Sequence, residues 1–409
     1  MRVGVLGCGM MGSAAAYALA THPRVAGLVL IDQNHQRSEQ LAAWLRRWAP
    51  APAVRTPRLE LEEEAATAAV LEPLDAVATA LPWEATRLGI AAALRAGCPL
   101  AGITRPSYAD LPALEDAADR RRGRVLLPCG LEPGLTEILG RLAVERLERV
   151  TEVRIRCGGI PTEPRLPLGY TAVFGGGTRL PIGIRDAYAI EDGRLRTVPR
   201  FSGREPVILR DLGTLEAFHD GMVPWIAGDA VFGGVPSLTQ KTIRWPGFAQ
   251  TVTRLGELGL LSEDPVMVEG TAVVPRQLVE AVLQPRVARR SGEEDVTILQ
   301  VDASGEGRAG LGRSRVELRA SFDRRTGFTA MAQTTGYTLA WATRILAGGE
   351  ISEVGWLKPH LVIHSRLCLD LLGELEGRGI RVDVGRLPGD LPAQAVPLPA
   401  RSPGGPRPA

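Results

Sequence analysis

Three glycines stand five residues apart end to end, in Gly7-Cys8-Gly9-Met10-Met11-Gly12. An apolar run, Arg2 to Leu6, precedes them and a helix-forming run, Ser13 to Leu19, follows. That context fits a dinucleotide. Gly7 allows the tight turn, Gly9 lets backbone approach a pyrophosphate, and Gly12 lets helix pack on strand. Met10 and Met11 open the helix, whose N-terminus offers free N–H groups and a positive dipole end to phosphate. Asp32 closes a second apolar run, Gly27 to Ile31, about twenty residues past the last glycine, where the ribose-binding acid belongs. A carboxylate there repels a 2′-phosphate, which favours NAD. Arg37, close in sequence, keeps NADP open.

A second set of reactive types lies far downstream. Gln240-Lys241-Thr242-Ile243-Arg244 holds an amine, a hydroxyl and a guanidinium. On a strand, Lys241 and Ile243 face one way, Thr242 and Arg244 the other. Lys241 and Lys358 are the only lysines in a chain whose basic residues are otherwise arginine. Lysine can lose a proton at useful pH and arginine cannot. His219 and Asp220 sit together beside a turn. Glu132 lies in Cys129-Gly130-Leu131-Glu132-Pro133-Gly134.

The elements that carry these residues alternate at first. Strands are predicted at Leu74 to Ala80, Leu100 to Ile103 and Val125 to Leu127, with a possible strand within Val54 to Leu61 interrupted by Pro57. Helices are predicted at Glu84 to Ala96 and Leu111 to Arg122, each stopped by a glycine. Such alternation predicts a Rossmann-type, doubly wound parallel sheet, with ligands at the C-terminal strand ends. Ala80-Leu81-Pro82, Thr104 and the loop from Cys129 to Gly134 then form the mouth. Beyond it the period changes to two at Val153 to Cys157, Val296 to Val301 and Val316 to Phe322, which predicts antiparallel strands. The fold class is therefore α/β: a Rossmann domain followed by an α+β domain with an open mixed sheet. Helices are predicted at Thr334 to Leu346 and His364 to Glu376. The expected divisions are 1–134 for the cofactor, 135–350 for substrate and dimerisation, 351–387 packing back on the first domain, and a disordered tail over 388–409.

Bulk composition narrows the function classes. A net charge of +2 with no basic block argues against nucleic-acid and membrane-surface binding. No apolar run reaches the length of a membrane span. Five scattered cysteines without paired spacing fit a reducing cytoplasm, and five histidines share no ligand spacing, so no metal site is expected.

Several second-domain segments are distinctive: Cys157-Gly158-Gly159-Ile160-Pro161, Pro167-Leu168-Gly169-Tyr170, Leu215 to Gly221, Gln240 to Phe248 and Ala330 to Tyr337. With the glycine fingerprint and the Cys129 to Gly134 loop, their order resembles the saccharopine dehydrogenase family over nearly the whole chain, to about Val384. The resemblance is divided between its L-lysine 6-dehydrogenase and saccharopine reductase branches. Phe248 stands where lysine 6-dehydrogenases usually carry a histidine, and Cys129 where they carry an acid.

The resemblance implies chemistry at the C–N bond of a lysine ε-carbon, with L-lysine 6-dehydrogenase as the first expectation and saccharopine reductase as the second. A non-catalytic NAD-binding redox sensor is the reading from another class. Amine oxidation needs the carbon over the nicotinamide, a base for the amine proton and a cationic anchor for the carboxylate. Arg244 is read as that anchor or as one half of a surface ion pair. Lys241 is read as a proton-transfer group or a second anchor, and Thr242 as a substrate contact. His219 with Asp220 is read as a proton relay or a capped turn. Glu132, Tyr170 and Thr335 are further substrate candidates, and Cys129 a small packing residue beside the nicotinamide. An open sheet edge and the resemblance together imply a homodimer.

Overall fold

The computed structural model describes residues 1–49, 52–172, 180–183, 185–290, 292–307 and 310–385. The tail expected over 388–409 lies outside them.

Apolar residues occupy nearly every position of β1 (Arg2–Leu6), β2 (Gly27–Ile31) and β4 (Ala76–Thr79), the pattern of strands covered on both faces. With β3 (Ala53–Arg55), β5 (Leu100–Gly102) and β6 (Arg124–Leu126) they form a parallel sheet, completed by Gly355–Leu357, which is β17 in chain order. The strand order is β17-β6-β5-β4-β1-β2-β3. The chain therefore reverses its winding between β1 and β4, and that reversal opens the crevice in which such sheets hold ligands. The third strand is shorter than the sequence pattern implies. It ends at Arg55, two residues before Pro57, which has no N–H to give a ladder. The connecting helices are α1 (Met10–Ala20), α2 (His35–Trp48), α3 (Glu64–Leu71), α4 (Trp83–Ala96) and α5 (Leu111–Arg120), followed by α6 (Leu135–Val144), which leads into the second domain.

The second sheet has nine strands. They are β7 (Arg149–Pro161), β8 (Asp186–Glu191), β9 (Arg194–Pro199), β10 (Glu205–Leu209), β11 (Gly213–His219), β12 (Ser237–Arg244), β15 (Asp295–Gly307), β16 (Gly310–Ser321) and β18 (Arg381–Val384), while β13 (Val266–Val268) and β14 (Thr271–Val273) make a separate hairpin. The main path runs β10-β11-β12-β7-β15-β16-β18, with β7 and β12 parallel and the others antiparallel. The predicted pairing of the two alternating segments is present, with Val296 opposite Ser321 and Val301 opposite Val316. The glycine-rich stretch between them continues both strands instead of forming a loose connection. A Cβ on Gly305 would lie 1.9 Å from the Arg149 carbonyl oxygen, so glycine is what lets β15 and β7 stay paired there. The expected segment 351–387 divides: β17 joins the first sheet and β18 the second.

The helices of this half are α7 (Phe248–Glu257), α8 (Pro275–Val287), α9 (Ala330–Gly348), α10 (Pro359–Val362) and α11 (Ser365–Gly377). Among them α9 is buried on every side from Ala330 to Leu346, as befits a helix with core all round it. It packs on α1 so closely that a Cβ on Gly336 would stand 2.7 Å from both the Met11 oxygen and the Ala14 Cβ. It also touches β4 and β5 of the first sheet and β15 and β16 of the second. No helix among the described residues is long and apolar enough to cross a membrane.

Candidate active site

The glycine turn has the geometry its spacing implies. Gly7 has φ +91°, and a Cβ there would meet the Ala80 carbonyl oxygen at 2.7 Å. A Cβ on Gly12 would lie 1.7 Å from the Gly7 oxygen, so α1 can start only with glycine at that position. Gly9 is the opposite case, since a Cβ on it would meet nothing within 4 Å. Its open face is where a diphosphate can reach backbone. Gly9 caps α1 without a side-chain bond, and the first turn carries no acid, so the N-terminal amides stay available to an anion.

Asp32 is buried and oriented by backbone. Its Oδ2 accepts from the Cys8 N–H at 2.7 Å and its Oδ1 from the Asn34 N–H at 2.8 Å, while Arg37 Nη1 stands 3.6 Å away. Beside it opens a cavity of about 750 Å³, lined by Asp32, Asn34, His35, Arg58 and Leu59 among others. The residues present fit the adenosine half of a dinucleotide: a buried acid for ribose hydroxyls, a cavity for the base, and a bare turn for the phosphates. Ala80 and Leu81 border the other side of the crevice. Thr104 donates its hydroxyl to the Leu81 oxygen and ties the loops after β4 and β5 together.

The other end of the crevice is built by β12. Its register sets Gln240 opposite Ile155 and Thr242 opposite Cys157, and places Gln240, Thr242 and Arg244 on the face toward the Rossmann domain. There Gln240 Nε2 donates to Glu132 Oε1 at 3.1 Å, joining the two domains. Glu132 sits in the loop after β6, held by a turn in which Gly134 has φ +136°. Burial, then the nearby charge of Asp220, pushes its carboxyl up to about 7, against the Gln240 hydrogen bond. The Cys157 thiol lies against the same carboxyl, and burial and that charge keep it protonated.

Asp220 is gripped by three side chains. Its Oδ1 accepts from Arg185 Nη2 at 2.8 Å and Arg200 Nε at 2.6 Å, and its Oδ2 from the Thr242 hydroxyl at 3.1 Å. Burial would raise its pKa, but Arg200, Arg185 and Arg244 together hold it below the ordinary carboxylate value. Arg244 is 5% exposed. It donates to the carbonyl oxygens of Ile243 (2.8 Å) and Gly159 (3.5 Å), lies near the rings of Tyr170 and Phe248, and leaves Nε without a partner. Among the described residues it has no carboxylate within ion-pair distance, so the surface-ion-pair reading does not describe it.

The strand divides the residues that the sequence grouped. Lys241 points to the opposite face of the sheet, where Nζ donates to the Gly203 oxygen at 2.7 Å and to Glu205 Oε2 at 2.9 Å. His219 is paired with Lys241 across the ladder and shares that face, its ring packed on Gly203. Burial and the Lys241 charge hold its pKa below the usual value. His219 ends β11 and Asp220 follows it; the former packs on Gly203, the latter bonds Arg185, Arg200 and Thr242, and no hydrogen bond joins the two, so the geometry does not form a relay between them. The Lys241 face is also closed over. Arg156 of β7 meets Glu205 of β10 at 2.9 Å, and Asp211 in the β10–β11 turn takes two bonds from Arg319 of β16, so the far edge curls across it.

Cys129 is 0% exposed and packed in the core, with its amide bonded to the Gly102 oxygen. Burial raises its thiol far above the usual range. Tyr170 is buried in an aromatic wall with Phe248, Phe218 and Phe201. Thr335 is buried on α9, its methyl 3.4 Å from where a Cβ on Gly130 would lie, directly behind the Glu132 loop. Sequence reasoning missed Gln240, Cys157, Arg185 and Arg200. The register of β12 against β7 carries the signal for the first two; the two arginines are indistinguishable in so arginine-rich a chain. No group of three metal-binding side chains occurs among the described residues.

Residues 130–380, more than half of the chain, match the family described as the saccharopine dehydrogenase C-terminal domain. Saccharopine dehydrogenase [NADP(+), L-glutamate-forming] of Schizosaccharomyces pombe is 29% identical over 126 residues, which are 31% of this chain and 27% of that protein. The match thus spans about a quarter of that relative's length. Among solved structures, apo saccharopine dehydrogenase (L-Glu forming) from Saccharomyces cerevisiae superposes with TM-score 0.76 at 17% identity, over 94% of this chain and 100% of that one. Homospermidine synthase from Legionella pneumophila, solved with NAD, gives TM-score 0.61 at 11% identity over 97% and 95%. At such identities the likeness is one of fold.

Proposed function

We propose a reaction from the premise that this chain belongs to the saccharopine dehydrogenase C-terminal domain family: NAD-dependent oxidation of the C–N bond at the ε-carbon of lysine or of an N-substituted lysine. The observation that carries it is Arg244, a buried guanidinium without a carboxylate partner among the described residues, beside a glutamate whose pKa is pushed up to about 7 at the mouth of a dinucleotide site.

A bound nicotinamide would supply the hydride acceptor for the amine carbon. The chain's own residues do the rest. Arg244 holds the substrate α-carboxylate in a forked pair, and the low polarity of Tyr170 and Phe248 strengthens it. Glu132 takes the proton that the ammonium must lose; a base with a pKa near the working pH is both available and strong enough for this. Gln240 and the Cys157 thiol hold that carboxyl in place. Water then adds to the carbon–nitrogen double bond, and the C–N bond breaks. With L-lysine the products are 2-aminoadipate 6-semialdehyde and ammonia.

Saccharopine is the second reading, favoured by the arginines around Asp220, which exceed what a single substrate carboxylate needs. Asp32 supports NAD over NADP. The free edges at β10 and β18 keep a homodimer as a proposal, which light scattering would test. The deciding experiment follows NADH absorbance at alkaline pH with L-lysine and, separately, saccharopine. Turnover of either, lost in Arg244→Gln, supports the reading; turnover of neither, with NAD bound in a parallel titration, overturns it.

A further inference from the structure

Glu132 reaches from the loop after β6 in the first domain and ends against the chain just past β11 in the second. Gly221 stands there without a side chain, and the carboxyl fills the room that one would take. A Cβ on Gly221 would lie 2.0 Å from Glu132 Oε1 and 3.0 Å from Gln240 Nε2. That oxygen is the one that accepts the Gln240 hydrogen bond. A methyl group at residue 221 and the carboxyl cannot hold the same space.

Glycine often answers a demand of backbone conformation. Gly221 does not, because its φ lies outside the left-handed region. The next residue, Met222, takes that conformation instead, at φ +66°. The glycine therefore stands one residue before the place where conformation would favour it, and closeness to Glu132 is the property it supplies. Neither backbone is free to draw back. Asp220 is fixed by Arg185, Arg200 and Thr242, and Met222 and Val223 are buried. Across the gap, the Gly130 N–H donates to the Pro133 oxygen at 3.0 Å and closes the turn that carries Glu132. The carboxyl is the end of a side chain, so it is the part that moves.

We infer that Gly221 is a positioning residue for Glu132, and that residues 132 and 221 are one size-matched pair across the two domains: the longer acid is held in place only opposite bare backbone. The inference rests on the amine-oxidation reading above, in which Glu132 takes the ammonium proton, and adds what fixes the point at which it is taken. A carboxyl pushed out of the notch leaves its Gln240 donor. That hydrogen bond favours the ionised form, so its loss raises the pH at which the base is available. Aspartate is one methylene shorter and leaves room for a Cβ at 221.

The test is a double-mutant cycle on the full chain with NAD: wild type, Gly221→Ala, Glu132→Asp and the two together. With Glu132 present, Gly221→Ala should lower kcat/KM about 30-fold, for L-lysine or saccharopine, and move the rising limb of its pH profile upward. With Glu132→Asp present, the same change should cost less than about threefold. NAD affinity should be alike in all four. Thermal unfolding of the NAD-free proteins should show the same coupling: Gly221→Ala loses a few degrees in Tm with Glu132 and little with Glu132→Asp. Equal losses in both backgrounds, in rate and in Tm, would overturn the pairing. Should Gly221→Ala alone fail to fold, a folded, NAD-binding double variant is the expected result, and a double variant that also fails overturns it. If no amine is oxidised, the amine-oxidation reading fails, while the Tm cycle still decides the pair.

Discussion

The two ends of the cleft are made of different material. At the cofactor end the contacts are backbone: a glycine turn, a bare helix N-terminus, and an aspartate held by the amides of Cys8 and Asn34. At the amine end they are side chains, delivered by β7, β11, β12 and loops from both domains, and most are charged. Backbone geometry is set by residues near one another in sequence, and at Gly7 and Gly12 it tolerates no Cβ. A charged cluster is set by strand register and tolerates exchange of its members. One end is thus rigid in kind and the other adjustable, which is how one cofactor site can serve different amines.

The largest expected effect lies at the rigid end. Gly12→Val drives a side chain into the Gly7 carbonyl and should raise the Kd for NAD by about two orders of magnitude, with a lower Tm, by overpacking. A variant that binds NAD normally would show that the turn is as adjustable as the amine end. Next comes Arg244→Gln, for which kcat/KM should fall about 100-fold with NAD affinity retained, and Arg244→Lys should not restore it, since an ammonium lacks the fork.

Glu132 sharpens the comparison through pH. Amine oxidation needs its ionised form, so kcat/KM should rise as pH passes through about 7, and Glu132→Gln should remove that limb. The stability effect has the opposite sign. A carboxyl raised from 4.5 to about 7 on folding contributes stability that is complete below 4.5 and is lost as pH climbs to about 7. At pH 8 Glu132→Gln should therefore melt higher than wild type, the mark of a group kept for chemistry at the expense of the fold. Asp32→Ser should cost about tenfold in NAD affinity and narrow the preference over NADP, read by parallel titrations. Lys241→Met should have the smallest effect on turnover, within about threefold, with a Tm loss of a few degrees as Glu205 loses one of its two cations. A large kcat loss there would place the active face on the wrong side of β12.

The same contrast explains what was legible in the sequence. The cofactor end is local, so spacing alone located Gly7, Gly9, Gly12 and Asp32, and alternation located the sheet. At the amine end, period two correctly parted Lys241 from Arg244 but did not say which face looked into the cleft. That depends on β12 pairing with β7, some eighty residues upstream in the chain, and on the curl of β10 and β11 over the other face. Being a rare lysine made Lys241 conspicuous for a reason of composition. Arg185 and Arg200 were hidden for the same reason, and Asp220 was noticed without the arginines that fix its charge. Strand β9 is exposed at nearly every position and β8 is at least partly buried at four successive positions, so neither shows a clean alternation.

Helix α9 has a mechanical consequence. It runs as one buried rod against α1 and both sheets, with Gly336 seated on the turn that begins the cofactor helix. Two lobes that share a rod cannot swing apart on a linker without shearing the close packing of α9 on α1. On the proposed reading the span from a bound nicotinamide to Arg244 would then be fixed, like a caliper locked at one setting, and an amine whose carboxylate and reactive carbon are one methylene closer together should reach only one of the two jaws.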